Sequence, residues 1–267
     1  MADLYTDYKR LYNAAAAIAQ QTDSAETLFF AGLVGGEHKR VVDIGCAEGK
    51  LVVECARRGH QVTAVDIAEG FLQQTAQLAR THNLPINTIL ADLEEGITPF
   101  GSQLFDVIFL NDVIEHFRNP VAALYHLRAL LAEGGKLFIH TPNCASPGRL
   151  KHYLLHPHAR LNYYDPTVLG DFHFQTYDQM TLEKTLNFVG LEVVRMIPTR
   201  FTTLGVHALS KVFGFLPSWL AKRFPHLADT LLFECAKGRP LDLDAQLSFW
   251  THSLDSLDSL DKKRGTD

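Results

Sequence analysis

Short apolar runs separated by longer amphipathic stretches set the rhythm of this chain. "RVVDI", "QVTAVDI", "INTILAD", "FDVIFLND" and "GKLFIHT" are rich in β-branched and aromatic residues and short enough for strands. Between most of them lie "KLVVECARRG", "GFLQQTAQLARTHN" and "NPVAALYHLRALLAEGG", which read as helices. Strand alternating with helix builds βαβ units, so an α/β protein is expected, with a parallel sheet buried on both faces. "LAEGGK" is expected to end its helix at Gly134 and Gly135, where a left-handed C-cap favours glycine.

The flanks differ from this core. Residues 4–35 read as helical, with Asp23 and Glu26 spaced for an N-cap ahead of "TLFFAGLV". After Pro142 the alternation breaks into a segment rich in Pro, Gly, His and Tyr, read as irregular with short helices. "TYDQMTLEKTLNFVGLEVVRMI" restores helix, glycine, strand, and "DTLLFECAKG" reads as a last strand. The expected organisation is a helical cap (1–35), a core (36–143), a lid insertion over the substrate (144–177), the rest of the core (178–240) with an apolar helical insertion at 204–228, and a flexible tail (241–267). The tail carries "SLDSLDSLD", read as disordered, with a weak helix as the alternative.

Composition narrows the function. The chain has 267 residues and a formal net charge of −5, with no long Lys/Arg run, so no nucleic-acid partner is expected. Cys46, Cys55, Cys144 and Cys235 are scattered without a CxxC pair, which argues against a disulfide framework or a cysteine zinc site and fits a cytoplasmic protein. The first residues carry early acids and no long apolar core, so no secretory signal is expected. No apolar stretch reaches the ~18 residues of a membrane span. The 204–228 insertion, with Lys211, Lys222 and Arg223, could touch a lipid surface; a lid or dimer helix is the other reading.

The chemistry begins at "VVDIGCAEG". A glycine turn at the end of a parallel strand ordinarily holds a phosphate. Here the spacing is Gly45-x-x-x-Gly49 rather than G-x-G-x-x-G, and Asp43 precedes it. A carboxylate repels a pyrophosphate and attracts an ammonium or sulfonium group. That weakens a nicotinamide-dehydrogenase reading and suggests a cofactor with a positive amino-acid end. Asp66 ends the second strand, 21 residues after Gly45, where an acid accepts from ribose hydroxyls. Asp92 ends the third strand and is placed to accept from a purine amine.

With "AVDIA", "LADLEE", "FDVIFLNDVIEHFRNP" and "LLAEGGKLFIHTPN" in this order, residues Arg40 to Asn143 resemble the class I S-adenosylmethionine-dependent methyltransferases. The resemblance implies a Rossmann-like, seven-stranded, mostly parallel sheet with helices on both faces, an antiparallel last strand and a helical lid. It places Asp43, Gly45, Cys46 and Gly49 at the methionine end, Asp66 at the ribose, Asp92 with Leu93 at the adenine and the Asn111 backbone near the sulfonium, with Ala47 and Ile67 also among the cofactor-binding residues. "DVIEHFRNP" and "HTPN" are similar to the branch acting on hydroxyls of quinone precursors, sugars and natural products. The expected reaction is therefore methyl transfer from S-adenosylmethionine to a hydroxyl of a small-molecule acceptor. The alternatives are N- or C-methylation, or a partner protein that binds the cofactor without catalysis.

An oxygen nucleophile gains from losing its proton, through a base or a metal. His116, just after the fourth strand, is one base candidate, and His173 in "DFHFQTYD" is the other. Asp112, Glu115 and His116 stand at i, i+3, i+4, one face of a helical turn, and could hold Mg²⁺ or another divalent ion. Some quinone-precursor O-methyltransferases resemble this with a Glu-x-x-Glu-His site and a later asparagine, which Asn143 would match. The tyrosines Tyr153, Tyr163, Tyr164 and Tyr177 either wall a substrate or pack the lid.

Overall fold

The computed structural model describes residues 25–147, 149, 150, 173–197, 199 and 223–239. Seven strands form one sheet: β1 (Arg40–Ile44), β2 (Gln61–Asp66), β3 (Asn87–Leu90), β4 (Phe105–Asn111), β5 (Leu131–Pro142), β6 (Leu191–Met196) and β7 (Thr230–Lys237), in the order β3-β2-β1-β4-β5-β7-β6. The first five pair in parallel, and β7 runs antiparallel between β5 and β6. The expected Rossmann-like sheet with an antiparallel last strand is thus observed.

Near-continuous apolar runs make the central strands, because both faces are covered. Val42, Ile44, Ile108, Leu110, Leu137 and Ile139 face a core closed by α4 (Pro120–Leu130) and α5 (Gln179–Phe188). Val41, Val62, Ala64, Phe109 and Phe138 face the opposite core, under α1 (Ala25–Leu33), α2 (Lys50–Arg57) and α3 (Glu69–Thr81). Alternate residues of one strand serve opposite layers, as the pleat requires. Asp178 starts α5 by accepting from Thr181 N, and Thr181 Oγ1 accepts from Asp178 N.

The chain switches direction between β1 and β4, and this opens a crevice at their carboxyl ends. The sequence reading places α4 too long. The helix stops at Leu130, and β5 begins at once by pairing Leu131 with Phe105. Gly134 does adopt a left-handed φ of 73°, but inside the strand, where the register to β4 shifts. Gly135 permits the close approach there, since a Cβ would stand 2.9 Å from the Ala132 carbonyl. Helix expected before residue 25, most of the lid, residues 204–222 of the apolar insertion and the tail lie outside the described residues. No described helix is long and apolar enough to cross a membrane.

Candidate active site

The turn after β1 is built from backbone. Gly45 N and Cys46 N both donate to Val65 O, at 2.8 and 3.0 Å, folding the turn across the end of β2. Gly45 has φ 72°, and a Cβ there would meet Val113 at 2.4 Å. Ala47 also takes a left-handed φ, 45°, the strained conformation that glycine adopts freely. Asp66 offsets that strain: its Oδ2 accepts from Ala47 N at 3.1 Å and its Oδ1 from Ala68 N at 2.9 Å. Thr75, fully buried on α3, donates to Ala47 O at 3.0 Å and lies 3.7 Å from Cys46 Sγ. Thr75 was absent from the expected site. Its signal was a polar residue at i+4 from Phe71 and i−4 from Ala79 on the buried helix face.

Three acids stand at or just beyond the carboxyl ends of β1, β2 and β3. Asp43 is buried, and desolvation together with the charge of Asp66 pushes its pKa up to about 8. Burial lifts Asp66 to about 6, against the pull of its bonds from Ala68, Ala47 and Ile67. Asp92 is half-buried and raised by desolvation; its Oδ1 accepts from Glu94 N at 2.9 Å. Asp92 Oδ2 and Asn111 Oδ1 are buried acceptors with no hydrogen-bond partner. An unsatisfied buried acceptor costs about 1–3 kcal/mol, so both fit a ligand that brings N–H or O–H donors. Acids that resist ionising fit a ligand that brings positive charge. Ile67 and Leu93 follow the second and third strands, and Gly49 caps α2 with φ 78°.

A second polar cluster stands at the ends of β4 and β5. Asp112 takes a left-handed φ of 52°, and its N donates to His140 O at 2.9 Å. Strain of this kind in a non-glycine residue often marks a working site. His140 Nδ1 lies 3.1 Å from Asp112 Oδ1, an ion-pair approach without an aligned hydrogen bond. Burial alone would lower the His140 pKa, but Asp112, Glu26 and Glu115 outweigh it and raise it. Glu115 is 2% exposed. Its Oε2 accepts from Thr141 Oγ1 at 2.8 Å, and its Oε1 has no partner. Desolvation, then Asp112, lifts it to about 7. His116 and His173 stand edge to face, ring centroids 4.8 Å apart. One ligand atom each from Glu115, His116 and His173 falls within 4.8 Å of the others.

This grouping differs from the expected metal set. Asn143 is turned away by its backbone bonds: Nδ2 donates to His226 O and Ala228 O, and Oδ1 accepts from Ala145 N. Asp112 faces His140 instead, and its side chain is exposed. His173 takes the third corner because Gln175 N donates to Glu115 O, laying 173–177 alongside the turn. Tyr177 is buried there with an unpartnered hydroxyl, its pKa raised by desolvation and then by Glu115. Tyr153, Tyr163 and Tyr164 lie outside the described residues.

The raised carboxyls predict how the ligand-free protein melts. Folded Asp43, Asp66 and Glu115 keep protons at pH values where the unfolded chain, with pKa near 3.8 and 4.5, has lost them. Folding therefore takes up protons, and stability falls as pH rises from about 4 to about 8. His140, raised, acts in the same direction; His60, lowered, opposes it below about 6.5. Asp106, Asp178 and Glu234 are lowered and lose their contribution only at more acid pH. The thermal midpoint is expected to be higher at pH 5 than at pH 8, by on the order of 5 °C. A midpoint that rises across that interval would contradict the assignment.

A family model described as a methyltransferase domain matches residues 15–195. The chain is 35% identical over 105 residues to the ubiquinone biosynthesis O-methyltransferase of Coxiella burnetii (strain RSA 493 / Nine Mile phase I), covering 39% of this chain and 44% of that protein. It is 33% identical over 127 residues to the enzyme of that name from Actinobacillus pleuropneumoniae serotype 5b, covering 46% and 51%. The matches thus span about half the length of these curated relatives. Among solved structures, the Burkholderia thailandensis 1,6-didemethyltoxoflavin-N1-methyltransferase, with its substrate and S-adenosylhomocysteine bound, superposes with a TM-score of 0.57 at 17% identity, covering 89% of this chain and 88% of that one. The magnesium protoporphyrin IX methyltransferase of Synechocystis PCC 6803, with bound S-adenosylhomocysteine, gives 0.54 at 15% identity over 88% and 94%. Likeness at these identities speaks for the fold alone.

Proposed function

This chain belongs to the methyltransferase-domain family, and from that premise we propose that it transfers a methyl group from S-adenosylmethionine to a hydroxyl of a small molecule. The observation that carries the reading is the grouping of polar side chains at the carboxyl edge of the parallel strands: buried acids and unpartnered acceptors at the ends of β1 to β4, and the His116–His173 pair beyond β4. The curated relatives are named as O-methyltransferases, which favours oxygen over nitrogen or carbon as the nucleophile.

When bound, S-adenosylmethionine supplies a methyl group on a cationic sulfur. Asp43 would hold the ammonium of its amino-acid end, whose charge favours the ionised carboxylate that burial disfavours. Asp66 would take the ribose hydroxyls with the acceptor capacity left beyond the backbone bonds it accepts, and Asp92 Oδ2 would take the adenine amine. Ile67, Leu93 and the turn residues Gly45, Cys46, Ala47 and Gly49 form the walls, and Asn111 lies beside the reacting centre. His116 would accept the acceptor's hydroxyl proton, and His173 would support the charged ring. Alignment supplies much of the rate, since reacting groups held in register gain several kcal/mol of effective concentration.

The Glu115, His116 and His173 cluster favours a second reading. A glutamate oxygen and two imidazoles could hold a divalent ion that acidifies the hydroxyl in place of a base.

Calorimetry tests the proposal. Dialysed protein titrated with S-adenosylhomocysteine is expected to bind in the micromolar range, and to give no heat with NAD. Folded protein that ignores the first ligand, or binds the second, would remove the cofactor and the mechanism built on it.

A further inference from the structure

One residue is bonded both to the Asp92 carboxylate and to the start of the helix that follows the His116 turn. Glu94 follows the third strand, and its side chain is only 11% exposed. Its backbone N donates to Asp92 Oδ1 at 2.9 Å, which fixes that carboxylate with Oδ2 unpartnered and buried. Its own carboxylate reaches the other way. Oε1 accepts from Asn119 N, and Oε2 accepts from Arg118 Nε at 3.4 Å. Asn119 is the N-cap of α4, its Oδ1 accepting from Ala122 N, and it lies three residues after His116. A second tie runs parallel: His126 Nδ1, on α4, donates to Leu93 O at 2.6 Å. Ala91, Leu93 and Phe117 share one buried cluster beneath these bonds.

We propose that Glu94 is a positioning residue that couples the cofactor end of the crevice to the turn carrying His116. The inference rests on the function proposed above. One residue holds the Asp92 carboxylate through its amide and the start of α4 through its side chain. A shift in the loop 92–95 on binding the adenine end therefore moves Asn119, and with it the Phe117–Arg118 link to His116. Charge assistance makes the Arg118 contact stronger than a neutral bond, and the low exposure of Glu94 limits screening.

The test uses full-length protein and S-adenosylhomocysteine as the probe. Glu94→Ala is expected to bind it about tenfold more weakly than wild type by calorimetry. Histidine-labelled protein gives the readout that simple loosening would not move. The His116 ring resonances, assigned with His116→Asn, are expected to shift at saturating ligand in the wild type, and by less than half as much in Glu94→Ala. If Glu94→Ala does not fold, Glu94→Gln takes its place. It keeps an oxygen for Asn119 N but loses the charge facing Arg118, and a threefold loss of affinity with a reduced shift is expected. Affinity within twofold of wild type, or a full-sized His116 shift, overturns the coupling. Wild-type protein that binds no S-adenosylhomocysteine overturns the proposed function instead, and the two failures are distinct.

Discussion

Gly49→Ala is expected to melt well below the wild type and to bind S-adenosylhomocysteine at least a hundredfold more weakly. Gly49 has φ 78°, and an added Cβ would stand 2.4 Å from Thr75 Cγ2, 2.5 Å from its Oγ1 and 2.7 Å from its Cβ. All three distances are far below contact. Thr75 cannot retreat cheaply, because it is fully buried and its hydroxyl holds the Ala47 carbonyl. Moving it would release the strained Ala47 and leave a buried donor and acceptor unpaired. Left-handed backbone costs alanine about 1–2 kcal/mol, and overpacking adds about 1–3 kcal/mol. Gly59→Ala separates the two effects. Gly59 has a similar φ of 83°, yet a Cβ there meets nothing within 4 Å. It should show the backbone cost alone, with ligand affinity unchanged. Equal melting points for the two variants, or full affinity in Gly49→Ala, would mean that Thr75 does not lock the turn.

The contrast between these glycines shows what the sequence could and could not reveal. The central strands β1, β2 and β4 were legible because burial on both faces demands near-unbroken apolar runs such as "RVVDI" and "FDVIFLN", whereas β3, at the sheet edge, is largely exposed. The acids were legible because parallel strands deliver their carboxyl ends to one crevice, so Asp43, Asp66 and Asp92 share an edge by topology. Contacts that depend on tertiary register were not. Thr141 became the partner of Glu115, and His140 that of Asp112, only when β5 paired with β4 at Asn111 and His140. Asn143 lines up with the acidic turn by sequence order, but its amide serves the chain at His226 and Ala228, more than 80 residues away. The glycines of "LAEGGK" carry the signal of a helix end, yet β-pairing at Leu131 took the chain first, so the left-handed residue landed at a strand irregularity.

His116→Ala is expected to lower kcat by roughly 10²–10⁴, the usual worth of a positioned base, while S-adenosylhomocysteine affinity stays within about twofold. The split follows from placement. His116 lies on the short turn Ile114–His116 beyond β4, whereas the cofactor end of the crevice is held by β1, β2 and the loop after β3. His173→Ala should cost less, about tenfold, because its ring stands edge-on to His116 and supports the protonated form without accepting the proton. The measurement is steady-state methyl transfer with any hydroxylated acceptor that the wild type turns over. Added imidazole should restore part of the rate of His116→Ala, since a small base can enter the space left by the ring. A chelator separates base from metal. If His116 acts as a base, dialysis against EDTA leaves the wild-type rate unchanged. If Glu115, His116 and His173 hold an ion, EDTA abolishes the rate, imidazole rescues nothing, and the two histidine variants fall together because each removes a ligand of the same site. A His116→Ala enzyme with wild-type kcat would end both readings and return the crevice beside Glu115 to a structural role.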